Sequence, residues 1–172
     1  SNGNTSNPRS GGIATDGAAG TGTVQLAYAD GNWGLAAAYN YSSKNWGSVF
    51  EATGTPLAAN VGTLGNTNSF GLSAWWEPAQ SGWIPSISTG WGLSSTSGED
   101  KSMLLGYDFD SATSQSWYVG LQWDDAFLKG NALGFAVGQP TFVTSIDRRN
   151  SDDDFVADGN YAFELFYMFQ VT

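Results

Sequence analysis

Apolar and polar residues alternate with a period of two along most of this chain, and no segment sustains the 3.6-residue period of an amphipathic helix. Seven segments carry the pattern. Val24, Leu26 and Tyr28 alternate with Thr23, Gln25, Ala27 and Ala29; Trp33, Leu35, Ala37, Tyr39 and Tyr41 alternate with Gly34, Ala36, Ala38 and Asn40. Phe70, Leu72, Ala74 and Trp76 face away from Gly71, Ser73, Trp75 and Glu77, and Trp83, Ile87, Trp91 and Leu93 from Ser86, Ser88, Gly90 and Gly92. Trp117, Val119, Leu121 and Trp123 oppose Tyr118, Gly120, Gln122 and Asp124, and Leu133, Phe135 and Val137 oppose Gly134, Ala136 and Gly138. At the end, Tyr161, Phe163, Leu165, Tyr167, Phe169 and Val171 alternate with Ala162, Glu164, Phe166, Met168, Gln170 and Thr172. These segments predict seven strands, with Pro85 awkward in mid-ladder because it has no N–H to donate.

The connections alternate as regularly as the residues. Gly31-Asn32, Pro78 to Gly82 and Asp125 to Asn131 are short. Ser42 to Asn68, Ser94 to Ser116 and Gln139 to Asn160 are long and polar. Short turns on one rim and long loops on the other are the habit of an antiparallel up-and-down transmembrane β-barrel. About nine residues per strand, tilted near 45°, cover roughly 21 Å of an apolar band about 25 Å tall. The expected fold is therefore all-β, a partial barrel over residues 22–172 behind a Gly/Ser/Asn-rich loop or terminus at 1–21.

One face of each predicted strand is small and polar, too rich in Gly, Ala and Ser for a packed core but suited to a water-filled lumen. The expected pore-lining residues are Gln25, Asn40, Glu77, Gln122, Asp124, Glu164 and Gln170. Aromatics mark the strand ends. Tyr28, Trp33, Trp76, Trp83 and Trp123 fall beside short turns, and Tyr41, Phe70, Trp91, Trp117 and Tyr161 beside long loops. Indole and phenol rings favour the headgroup layer, where the body of the ring is apolar and its N–H or O–H stays wet. Two such girdles are expected. A sandwich core would place the aromatics near strand centres instead.

Composition narrows the chemistry. The chain has no Cys and no His, which removes disulfides, thiolate and imidazole metal sites and the commonest general base. With 16 acids against 6 bases the net charge is −10, and Arg148-Arg149 is the only basic pair, so nucleic acid is excluded as an expected partner. No apolar run approaches a membrane helix. The four glutamates Glu51, Glu77, Glu99 and Glu164 suggest no carboxylate pair for glycoside hydrolysis, and no catalytic residue is assigned. Asp152, Asp154 and Asp158 could be imagined around calcium, but their spacing lacks the Gly and closing Glu of an EF-hand, so no metal or cofactor is expected. Asp108 and Asp110 would narrow a pore if their loop folded inward.

The stretch from Gln115 to Pro140, Gln-Ser-Trp-Tyr-Val-Gly-Leu-Gln-Trp-Asp-Asp-Ala-Phe-Leu-Lys-Gly onward, resembles the cyanobacterial outer-membrane porins, relatives of the carbohydrate-selective porins, some of which are described as iron-uptake porins. Asp158 to Thr172 resembles the strand that follows in that family, and the likeness is strongest over Gly106 to Thr172. The resemblance implies a passive channel for small polar solutes and inorganic ions in the cell outer membrane, surrounded by lipid, without turnover, and open to homo-oligomer formation. Family members also carry a peptidoglycan-anchoring segment and a larger barrel, so the chain is expected to be a fragment. The lumen acids imply weak cation preference. The competing expectation is a secreted, Trp-rich β-sandwich that binds carbohydrate.

Overall fold

The computed structural model describes residues 20–43, 54–80, 82–98, 103–104, 107–148 and 156–171. Seven long strands form one antiparallel up-and-down sheet: β1 (Thr21–Asp30), β2 (Trp33–Ser42), β3 (Gly65–Trp76), β4 (Ser86–Gly98), β6 (Tyr107–Asp124), β7 (Ala132–Arg148) and β8 (Ala162–Met168). A two-residue strand, β5 (Met103–Leu104), pairs with the start of β6. One short helix, α1 (Pro56–Gly62), precedes β3. Each long strand pairs with its neighbour in the chain, and β1 and β8 are the two ends of the pairing order.

The register carries the alternation across the whole sheet. Leu35 pairs with Tyr28 and Ala74, Thr89 with Ala74 and Val119, and Val137 with Val119 and Phe163. One row toward the turns, Trp33, Trp76, Ile87, Leu121, Phe135 and Leu165 follow one another. Because side chains alternate strictly, this in-register pairing gathers the predicted apolar sets onto one face and the small, polar sets onto the other. The two-residue turn at Gly31-Asn32 fixes the first register, with Gly31 at φ +58°, where a side chain would be strained.

Strand lengths correct all three expected long loops: Ser42 belongs to β2, and of the Ser42–Asn68 stretch Pro56 to Gly62 is helix and Gly65 to Asn68 is already β3. Ser94 to Gly98 continues β4, and the chain from Tyr107 onward is already β6, so much of the Ser94–Ser116 stretch is ladder. The expected loop from Gln139 begins as ten further residues of β7. Alternation lapses there because the ladder is bulged. Between the Gln115–Phe142 and Trp117–Gln139 pairs β7 carries an extra residue beside Pro140, and another intervenes before Ser145. Each bulge resets which residues face inward, and the first gives Pro140 a place where a missing N–H is tolerated. Asp108 and Asp110 accordingly lie in a strand and not in an inward-folding loop. Pro85 falls just before β4, outside the ladder.

The buried core is small and lies at the loop end of the small-residue face. Ala58 and Val61 of α1 pack with Leu104, Phe109, Ala112 and Val143, with Leu57, Leu64 and Ile146 around them. On the opposite face Leu26 is 75% exposed and Leu165 73%, and even in the sheet centre Leu72 keeps 46%. A sandwich would cover such a face with a second sheet. The described strands form one sheet, and among the described residues no second sheet covers this face.

Candidate functional site: an inner face with two zones

The small-residue face is divided along its length. At the loop end α1 lies over it, touching both β3 and β7. Pro56 at the first helical turn and Thr55 at the N-cap explain why the helix starts there. Thr55 does more than cap. Its N–H donates to the Thr141 carbonyl at 2.7 Å, and its hydroxyl donates to Asp158 Oδ2 at 2.6 Å. The other oxygen of Asp158 accepts the Val143 N–H at 2.8 Å. One carboxylate thus ties the helix start to β7. Of the three aspartates considered for calcium, Asp158 is engaged in this latch, and Asp152 and Asp154 lie outside the described residues.

Next to the latch, hydroxyls and amides stitch the strands together. Thr67 and Thr96 share a hydrogen bond at 2.8 Å, and Ser69 and Ser94 one at 2.9 Å. Asn40 was expected to line open water, and the structure corrects this. It is buried, donating to Thr21 Oγ1, Thr23 Oγ1 and the Gly22 carbonyl and accepting from Ser42 Oγ. Its amide braces β1 against β2.

At the turn end the same face is uncovered. Gln25, Gln122, Asp124 and Glu164 are exposed on it, as sequence alternation required. Gln122 donates to Asp124 at 2.9 Å. Glu77 sits one residue past β3, its backbone N–H bonded to the Asn32 carbonyl at 2.8 Å. Gln170 is a correction. β8 ends at Met168, and Gln170 lies beside the turn, its N–H donating to Asn131 Oδ1 and its side chain against Gly130.

The sequence reading passed over three inner-face aromatics. Trp75, Tyr118 and Phe166 each lean across a glycine directly opposite on the preceding strand, Gly34, Gly90 and Gly134, so that a Cβ there would run into the ring. Rings laid over cross-strand glycines restore the packing those glycines forfeit. The signal was in the sequence as aromatics on the otherwise small face, but only the register shows that each meets a glycine. With Glu77, Asp124 and Glu164 they line one concavity of about 440 Å³, fed by side chains from β3, β4, β6, β7 and β8.

The aromatics of the outer face form two lines. On the loop side the line runs through Tyr41 on β2, Phe70 on β3, Trp91 on β4 and Trp117 on β6. The register sets each level with or nearer the turns than the last. On the turn side it runs from Tyr28 on β1 through Trp33 and Trp76 to Trp123 on β6. Tyr41 to Trp117 drops four residues over three strand spacings, and Tyr28 to Trp123 drops four over four. At about 3.4 Å per residue and 4.8 Å per strand, both lines cross the strands at an obliquity of roughly 35–45°. Trp91 and Trp117 therefore lie inside long strands and not at their ends, correcting the expectation, yet they stay on a line. Trp117 donates to Gln139 at 2.7 Å and stacks edge-on against Tyr161, which precedes β8. Trp83, 96% exposed, stands before β4, and its carbonyl accepts from the Trp123 indole.

No protein-family model matches the chain, and comparisons with curated proteins and with solved structures return no match.

Proposed function

We propose that the chain is part of an outer-membrane β-barrel through which small hydrophilic solutes and inorganic ions diffuse passively, in the manner of the cyanobacterial porins it resembles. The observation that carries the reading is the pair of parallel, oblique aromatic lines. Barrel strands tilt by about 35–45° from the barrel axis. A level line around such a barrel therefore crosses the strands at the same obliquity, and both aromatic lines do so in the same sense. Tilting the strands by that angle sets Trp33 and Tyr41, or Trp117 and Trp123, roughly 16–21 Å apart in height, before the rings add their own reach toward the ~25 Å apolar band. Between the lines stand Leu35, Leu72, Val119 and Val137, suited to acyl chains.

The opposite face then borders water. Its open turn-side zone carries Glu77, Asp124 and Glu164 with no Lys or Arg among the residues lining the concavity. The loop-side zone, narrowed by α1, is the constriction. A wall of this sign raises local cation concentration, and salt screens it over about 10 Å at 0.1 M. Iron is one ion such a pore would pass, and neutral sugars would pass by size alone.

The test is conductance of the complete protein in a planar bilayer across a salt gradient. Stepwise channels with a weak cationic reversal potential that fades as salt rises are expected. Absence of conductance from protein shown to be inserted and folded would overturn the channel.

A further inference from the structure

The turn-side concavity joins two features that the general lining of a water-filled pore does not require. The first is aromatic surface. Trp75, Tyr118 and Phe166 lean over glycines yet remain 38%, 44% and 39% exposed. The second is uncompensated negative charge. Glu164 stands on β8 two residues from Phe166, and Glu77 follows β3 two residues after Trp75. Among the described residues neither carboxylate holds a hydrogen bond or ion pair, Asp124 is met by the neutral amide of Gln122, and no basic side chain lines the space.

We propose that this concavity binds small organic monocations of the alkylammonium class. The chemistry follows from the two features together. An alkylated ammonium is attracted by the face of an aromatic ring and, unlike a metal ion, gives up little hydration to reach it. Its methyl groups suit the ring surface, while its charge is favoured by the carboxylates that line the same space, Glu164 on one side and Glu77 on the other strand edge of the concavity. A neutral polyol would find the rings but gain nothing from the net charge. An inorganic cation would find the charge but would have to shed water against the rings. A space of about 440 Å³ accommodates such a ligand with its first waters. The inference rests on the channel reading to the extent that the concavity is the wet lumen, and it names the solute class that the wall favours.

The experiment is isothermal titration of the complete protein, folded in detergent micelles, at fixed ionic strength. Choline chloride is compared with 3,3-dimethylbutan-1-ol, its uncharged isostere, and with glucose. Saturable choline binding at least about tenfold tighter than the isostere is expected. Glu164→Gln, which keeps shape and removes charge, should weaken it by about threefold or more. Tyr118→Leu should weaken it similarly; its fold is checked by circular dichroism, and if it misfolds the Glu164→Gln result decides. Equal affinity for choline and its isostere, preference for glucose, no binding by folded protein, or indifference to Glu164→Gln would each overturn the site. Conductance separates the two readings: a conducting protein without choline selectivity loses the site alone, and a choline-binding protein without conductance loses the channel alone.

Discussion

The two faces of this sheet are made by the same strands with the same hydrogen bonds, and they obey opposite rules. The outer face is a spread of Leu, Val, Ile, Phe and aromatic rims, with Ala37, Ala74 and Thr89 among them, that nothing in the described chain covers. The inner face is built from Gly, Ala and Ser, with aromatics only where a glycine makes room and a helix folded over one end. In a water-soluble protein the apolar face would be buried and the small, polar face exposed. Here the packed core sits on the small-residue side. The difference teaches that burial cannot be read from hydrophobicity alone, and on the proposed barrel reading the solvent each face meets decides which residues it takes.

Swapping the character of one face should break the comparison most sharply. Leu121 and Gln122 are neighbours on the interior strand β6 pointing to opposite faces. Leu121→Arg is expected to cost about 2–4 kcal/mol in lipid, the penalty of a cation near the bilayer midplane, while Gln122→Arg should leave folding nearly unchanged. Urea unfolding from lipid vesicles measures both, and equal costs would abolish the assignment of faces. The pair Leu165→Arg and Glu164→Arg repeats the test on β8, where the edge position should reduce the contrast.

Next in size is the inner face's own packing. Gly134→Val would drive a side chain into the Phe166 ring, and Gly90→Val would do the same to Tyr118. Each should destabilise by about 1–3 kcal/mol, as overpacking does. Adding Phe166→Ala to Gly134→Val should recover most of that loss. Additivity of the two changes in a double-mutant cycle would show that the ring does not pack on the glycine.

The latch sharpens the boundary between the two inner zones. Asp158→Ala removes the acceptor for both Thr55 and Val143, each a hydrogen bond to a charged group contributing about 1.5–3 kcal/mol. Faster amide exchange at Val143 and Ala58, with a larger single-channel conductance as α1 loosens, is the expected outcome. Unchanged exchange at both would mean that α1 is held by apolar packing alone.

Much of the fold was legible because period-two alternation is a local signal. Trp117 to Asp124 and Trp33 to Tyr41 read as strands, with the correct faces, from residue order alone. The ends of the strands were not legible. Beyond Gln139, bulges at Pro140 and before Ser145 shift the phase, and hydroxyl-rich ladders such as Ser94 to Gly98 look like loop because Ser and Thr also favour turns. Helix α1 is too short for a periodic signal; Thr55-Pro56 was its only local mark. The site was half legible. Gln122, Asp124 and Glu164 followed from alternation, but the burial of Asn40 depends on partners on β1 brought together only by folding. The place of Trp75, Tyr118 and Phe166 over glycines needs the register.

The smallest expected effect is on selectivity. In the proposed pore, Glu164→Gln should lower the cation preference modestly, without changing stability, and Glu77→Gln less still, since Glu77 sits at the rim past β3. Reversal potentials at low salt would resolve the order.

The central claim, that one face meets lipid and the other water, can be tested residue by residue because the chain has no native cysteine. Single cysteines placed from Tyr118 to Trp123 on β6, each carrying a nitroxide label in reconstituted vesicles, report contact with oxygen dissolved in lipid or with a water-soluble nickel chelate. The account predicts strict alternation: Val119, Leu121 and Trp123 relaxed by oxygen, Tyr118, Gly120 and Gln122 by nickel. A nickel response at every position, or a period other than two, would contradict it.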